Sequence, residues 1–338
     1  MRLEEVIIDR YLEGRLPLPG TVVQAALNAY LKLYHRVEFL IGRQSFVPER
    51  TEEMTARARE LMDTHYNMPL PMFTRVLGES MKYSMALWEH GARTLEQAQE
   101  AMLDDVFAKA EVRDGQRILD IGCGFGSLAA QALRRFPNAR VYGLTLSQTQ
   151  VDYMRARQAE PGHPLNTDRF YLIQGDFADA HFDQPFDRIV SLGFFEHITN
   201  IPRALHKIRS LLRDDGLCFL HYIVFRPLSW DTDAPRQDAF IDRYIFPGGR
   251  IWAHTEVGKH QAHLRLERDW YLSGFNYRDT VGAWLANFQR HFATIARESG
   301  LTPRQLRLWE LYLRGCIAVF NTRGGKLYGN GQYLLRPI

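Results

Sequence analysis

Glu196 and His197 close a strongly apolar run, Ser191-Leu192-Gly193-Phe194-Phe195. A carboxylate set at a buried strand end is desolvated, which raises its pKa toward that of a usable base or proton relay. A structural carboxylate capping the next turn is the alternative. His221 stands in Phe219-Leu220-His221-Tyr222-Ile223-Val224. A lone histidine in a buried strand is usually a satisfied core residue, but its parallel placement with Glu196 on a neighbouring strand makes it a second candidate. Further upstream, Ile118-Leu119-Asp120-Ile121-Gly122-Cys123-Gly124-Phe125-Gly126 reads as a buried strand ending in an acid, then a tight glycine turn. Gly122 and Gly124 can take positive φ and let backbone approach a ligand. A helix starting at about Ser127 offers free N–H groups there, suited to a carboxylate or phosphate. The next two strand ends carry Thr145, with Gln150 nearby, and Asp176-Phe177. Thr145 and Gln150 are neutral hydrogen-bonders for sugar hydroxyls. Asp176 and Phe177 suit the amino group and ring of an adenine, or Asp176 is a plain turn residue.

These residues need a frame that brings strand ends together. Strands are expected near 118–121, 140–145, 169–174, 187–192 and 216–224, with helices near 127–136, 148–159 and 201–213. Strands separated by helical crossovers imply a parallel, doubly wound α/β sheet. Its ligands bind beyond the carboxyl ends, near the switch point. Residues 1–64 form a helical N-terminal extension, in which Val22, Val23, Ala26, Leu27, Tyr30, Leu31, Tyr34 and Val37 repeat as a buried stripe. It reads as a cap on the main domain, residues 65–338; a homodimer contact or contact with a membrane surface is the alternative. His65-Tyr66-Asn67-Met68-Pro69 begins an irregular segment over a surface or cleft. Thr94 and Gln97 make a capping-box pattern for a helix to about Ala110. Residues 226–298 form an aromatic-rich insertion, including Trp270 and Phe275, placed to serve as a lid or acceptor pocket. The closing stretch, through Gln332–Leu335, reads as a helix followed by edge strands.

Composition narrows the classes. The 338 residues suffice for one large domain with additions, and 46% hydrophobic against 24% charged residues build an ordinary core. A net charge of +3 does not argue for nucleic acid. Cys123, Cys218 and Cys316 are scattered and odd in number, as in a reduced cytoplasmic protein, and no metal site is expected. The stretch Thr21–Ile41 is broken by Lys32, His35, Arg36 and Glu38, so it is amphipathic and not membrane-spanning.

The form D-x-G-x-G-x-G resembles motif I of S-adenosylmethionine (SAM) methyltransferases; a dinucleotide fold would use G-x-G-x-x-G, and this chain has Leu128 and Ala129 there. Several ordered motifs extend the likeness: Lys82-Tyr83-Ser84, Gly143-Leu144-Thr145-Leu146-Ser147, Phe186-Asp187-Arg188-Ile189-Val190-Ser191, Phe195-Glu196-His197 and Tyr244-Ile245-Phe246-Pro247. From about His65 to the C-terminus the chain resembles the cyclopropane-fatty-acyl-phospholipid synthase superfamily, with its mycolic-acid methyltransferases and coclaurine-type N-methyltransferases. The resemblance implies a Rossmann-like class I methyltransferase fold with SAM as cofactor. Tyr83, Ser84, Gly122 and Gly124 would then hold its methionine portion, Thr145 and Gln150 the ribose, and Asp176 and Phe177 the adenine, with Asp120 the ninth residue at the cofactor. In lipid-modifying members a bicarbonate ion removes a proton from the carbocation. The matching positions here are Glu196, His221, Ile223 through its backbone, and Tyr312. The family's Tyr-Ser-Cys reads Tyr83-Ser84-Met85 in this chain, which weakens cyclopropanation, although the Met85 N–H could still serve. Thr94–Asp104, Trp270-Tyr271-Leu272-Ser273-Gly274 and Tyr328-Gly329-Asn330-Gly331 are similar to the N-methyltransferase branch. Gly193 instead matches the lipid enzymes, where the plant enzymes carry an acid.

The leading expectation is transfer of a methyl group to an apolar small molecule, an amine, with Glu196, His197 or His221 moving the proton. Aromatic residues of the insertion would shield cationic groups. The second is an alkene of a lipid chain with bicarbonate as base, and the third a non-catalytic SAM-binding module.

Overall fold

The computed structural model describes residues 3–40, 52–55, 60, 62–89, 91–226, 230–231 and 250–338; the Tyr244-Ile245-Phe246-Pro247 motif lies outside them. Five strands lie parallel in the order β3-β2-β1-β4-β5: β1 (Arg117–Ile121), β2 (Arg140–Thr145), β3 (Phe170–Gln174), β4 (Phe186–Leu192) and β5 (Leu212–Phe225). The order reverses between β1 and β4, and this switch point opens the crevice that such sheets use for ligands. β5 starts earlier than its apolar pattern suggests, because Leu212 already pairs with Phe186 before a bulge resets the register. Short β6 (Trp230–Asp231) pairs with β7 (Arg250–Ala253), which extends the far end of β5. Then come β8 (Leu264–Ser273) and β9 (Tyr328–Pro337). β9 runs antiparallel to both β5 and β8, so it is an interior strand and not the edge that its position in the chain suggested. β8, from the middle of the aromatic-rich segment, pairs along that outer side of β9.

Ten α-helices are described: α1 (Leu3–Leu12), α2 (Gly20–Leu40), α3 (Leu70–Val76), α4 (Leu95–Lys109), α5 (Ser127–Arg135), α6 (Gln148–Gln158), α7 (Ile201–Leu211), α8 (Gly274–Arg290), α9 (Phe292–Ser299) and α10 (Pro303–Phe320). Alternation along the strands sorts side chains between two cores. Ile118, Val190 and Phe219 join the core beneath α4, α5, α8 and α10. Leu119, Ile121, Ile189, Leu220 and Tyr222 join the opposite core, beneath α7. Asp120 is one residue from Leu119, and His221 one from Leu220, so both fall on the α4/α8 side.

The extension packs on α10. Leu12, Val23 and Leu311 are buried together, flanked by Ile8, Tyr11, Leu27 and Leu308. Gln24 Nε2 donates to the Arg314 carbonyl at 3.1 Å. A helix with one neighbouring helix buries a narrow stripe. The expected one is accordingly corrected: Val22, Ala26 and Tyr30 face outward. The Val37 side chain lies outside the described residues. Among the described residues, no helix is long and apolar enough to cross a membrane.

Candidate active site

The glycine turn after β1 shows why small residues stand there. Gly122 and Gly124 have φ of 74° and 58°, in the left-handed region. A Cβ on Gly122 would approach Phe194 Cβ to 2.9 Å, whereas one on Gly124 would meet nothing within 4 Å. Gly122 thus permits close packing, and Gly124 keeps space open at the α5 N-terminus. The cleft in front of this turn is lined by Tyr83, Ser84, Asp120, Gly122, Gly124, Thr145, Gln150, Asp176 and Phe177. All nine residues expected around the cofactor therefore converge on one crevice, beside the α5 N-terminus.

Within the crevice the polar groups are already oriented. The Thr145 hydroxyl donates to Gln150 Oε1 at 2.6 Å. Ser147 caps α6 and donates to Asn67 Oδ1 at 2.9 Å, tying the irregular segment to the cofactor side. Asp176 Oδ1 accepts the Ala178 N–H at 2.9 Å, so the turn-capping reading holds for one of its oxygens. Asp120 is buried, and burial pushes its carboxyl up to about 7 against the opposing effect of Lys82.

Beside the crevice stands an aromatic cluster, whose Tyr66, Tyr83 and His197 also line the crevice. A π-helical turn, Met62–Tyr66, brings in His65 and Tyr66. Tyr83 hydroxyl and His65 Nε2 share a hydrogen bond of 2.9 Å, and Tyr66 hydroxyl and His197 Nε2 another of 2.9 Å. Burial pushes both histidines down to about 3, so each phenol is paired with a neutral imidazole at neutral pH. Tyr312 and Trp309 from α10 pack against the His65 ring, and Trp284 from α8 against Tyr83.

Glu196 lies in a 3-10 turn, Phe195–His197, that Trp252 Nε1 pins by donating to the Phe195 carbonyl at 3.2 Å. Glu196 Oε1 accepts the Ile223 N–H at 2.8 Å, while Oε2 is buried without a partner. Burial pushes its carboxyl up to about 7, and backbone N–H bonds moderate the rise. After burial, the charge of Glu196 is the next largest influence raising the phenols of Tyr66 and Tyr277. Cys316 stands one helical turn beyond Tyr312 on α10, and burial pushes its thiol up to about 12.

His221 is placed differently. Gln332 Oε1 accepts from the Lys109 ammonium at 2.6 Å, so its NH2 group faces His221 Nδ1 at 3.2 Å. Nδ1 is then the acceptor and Nε2 carries the proton. The Asn330 amide nitrogen lies 3.0 Å from Nε2 and its oxygen is unpartnered, so exchanging the two ends of this amide would let the oxygen accept the Nε2 proton. Both ring nitrogens thus lie against side-chain amides of the sheet. Met85 is fully buried beside Lys82. Trp270 and Phe275 were expected in the pocket, and the structure corrects both. Trp270 packs on Phe219 beneath the Lys109 ammonium, and Phe275 sits at the surface under the Arg278 guanidinium. The aromatic segment reaches the aromatic cluster through α8 instead, by Tyr277 and Trp284.

Sequence patterns alone assign no part in the site to His65, Tyr66 or Lys82, although the first two lie in the segment expected over a cleft. Their signal was a His-Tyr pair immediately before a proline-rich break. Among the described residues, no cluster of metal-ligating side chains occurs.

Comparison with known proteins agrees with this arrangement. The profile of the mycolic acid cyclopropane synthetase family matches residues 53–328. The chain is 30% identical to the "Probable fatty acid methyltransferase" of Pseudomonas putida over 92% of its own length and 77% of that protein's. It is 27% identical to (S)-coclaurine N-methyltransferase of Papaver somniferum, over 77% and 76%. A crystal structure of coclaurine N-methyltransferase bound to N-methylheliamine and SAH covers 99% of this chain and 100% of that one, with a TM-score of 0.87 at 21% identity, and so shares its fold. With the crevice, the buried Glu196 and these matches together, the chain belongs to the mycolic acid cyclopropane synthetase family and is a SAM-dependent methyltransferase.

Proposed function

We propose that this enzyme methylates the nitrogen of an apolar amine and that Glu196 accepts the amine's proton. The carrying observation is Glu196 itself: a buried carboxyl with an unpartnered Oε2 among tyrosines, with no cationic side chain bonded to it among the described residues. Such surroundings suit a cationic or weakly basic guest, since a carboxylate and ring faces both attract an ammonium. An anion such as bicarbonate would be repelled once Glu196 ionises. The expected imidazole partner, His221, is held by Asn330 and Gln332, which further supports the amine reading.

SAM, when bound, supplies an electrophilic methyl group. Gly122 and Gly124 let backbone approach it, and Ser84, Thr145, Gln150, Asp176 and Phe177 supply polar and stacking contacts along the crevice. Tyr66 and Tyr83, each held by a histidine, line the crevice and leave less room for water beside the methyl group. Glu196 takes the proton, leaving a neutral lone pair to attack, and His197 fixes Tyr66 over the same site. Positioning of this kind accounts for much of the rate in a displacement reaction.

The test is incubation with methyl-labelled SAM and, in parallel, hydrophobic amines and vesicles of cis-unsaturated phospholipid. Label on an amine, unchanged by removal of bicarbonate, is the expected result. Label in acyl chains that vanishes without bicarbonate would make the protein a lipid enzyme. SAM binding with no label on any acceptor would favour a non-catalytic role.

A further inference from the structure

Lys82 is 1% exposed, an unusual place for an ammonium group. Its Nζ donates to Ser84 Oγ at 2.6 Å and to the Met85 carbonyl at 2.6 Å. These two bonds fold the Tyr83-Ser84-Met85 backbone around the ammonium. The chain turns into this arrangement at Met81, a non-glycine residue with φ of 53°. Downstream the same segment is stapled to α8: Ala86 N–H donates to Thr280 Oγ1 at 3.0 Å and Trp88 N–H to Asn276 Oδ1 at 2.9 Å. Ser84 lines the cofactor crevice and packs beside Gly193.

We propose that Lys82 is a positioning residue of the methyl-donor site, which orients the Ser84 hydroxyl so that its proton points into the crevice. A hydroxyl whose lone pair is taken by an ammonium has its own O–H left to donate. The acceptor there is an oxygen of the cofactor's methionine portion. The same two bonds hold Tyr83 between them, so that its ring stays stacked on His65, at 5.6 Å between centroids and 14° between planes. Burial lowers the Lys82 pKa to about 7, with Asp120 opposing the shift. Even neutral, the amine keeps two N–H donors for its two acceptors, so the geometry survives a change of charge.

The experiment is a double-mutant cycle read by calorimetric binding of SAH, which needs no acceptor and so stands apart from the amine reading. Lys82→Met is expected to weaken SAH binding by about tenfold, the worth of a hydrogen bond to a charged or strongly polar group. Ser84→Ala should lose a similar amount, and the double variant no more than either alone. Lys82→Gln, whose shorter side chain still ends in an NH2 donor, should recover part of the loss. In turnover, KM for SAM should rise while kcat at saturating SAM moves far less; a merely structural lysine would move both along with the melting temperature. Binding by Lys82→Met within about twofold of the native protein, or losses that simply add, would overturn the proposal. If Lys82→Met does not fold, the cycle is run on Lys82→Gln, where additivity with Ser84→Ala overturns it equally.

Discussion

A carboxyl group buried against the Ile223 N–H, with its second oxygen unpartnered, keeps its proton to near pH 7, and two consequences follow for Glu196. As a base it must be ionised, so kcat/KM should rise with pH through about 7. Glu196→Gln should remove that limb and lower kcat by about 10²–10⁴-fold. Stability moves the other way. The folded-state pKa lies above the unfolded one, so the contribution is complete below about 4.5 and is lost as pH rises through about 7. The change is about 3 kcal/mol across that window. Urea melts of Glu196→Gln at pH 4.5 and 7.5 should show a flatter dependence than the native protein, and an unchanged slope would contradict this account. Gly124 makes a separate test at the same scale. Its Cβ would enter open space, yet its φ is 58°. Gly124→Ala should therefore cost about 1–2 kcal/mol of strain and also weaken SAH binding, which melting and calorimetry separate.

Two helix starts illustrate what local sequence encodes at the element scale. Thr94 accepts the Gln97 N–H as the pattern predicts, but the Gln97 side chain takes the Arg93 N–H at 2.9 Å in place of the cap residue's own. The reciprocal box forms instead at Thr302 and Gln305, where α10 begins. α10 carries Tyr312 into the aromatic cluster and receives the N-terminal extension through Leu308 and Leu311. Thr302→Ala should lower stability by about 0.5–2 kcal/mol. SAH affinity should be unchanged, because α10 does not line the crevice; a loss of affinity would show that the two sites are coupled through this helix. Strand periodicity was equally legible: four of the five parallel strands start and stop within one residue of their apolar patterns. The fates of β8 and β9 were not. A strand's rank along the chain does not determine its neighbours, and β9 is inserted between β5 and β8 by pairing alone.

For the molecule as a whole, the crevice is assembled from Thr55 onward, whereas α1 and α2 touch α10. We propose that the extension is a stabilising cap. Deleting residues 1–40 should lower the melting temperature by baring Leu308 and Leu311, yet leave SAH binding within about threefold. Loss of binding would instead make the extension part of the site. The amino-acid sequence by itself determined the strand–helix alternation, the glycine turn and the acids and amides at successive strand ends. These are local properties, since periodicity, positive-φ glycines and strand-end placement need no knowledge of distant partners. Only the tertiary structure decided what lay between elements. It set both His221 ring nitrogens against side-chain amides of β9, put Trp270 and Phe275 outside the aromatic cluster, and brought His65, Tyr66 and Lys82 into it or beside it. Those outcomes depend on which strand lies next to which and on where a π-turn and a left-handed methionine aim their side chains. Neighbours far apart in the chain set such relations, and no local pattern records them.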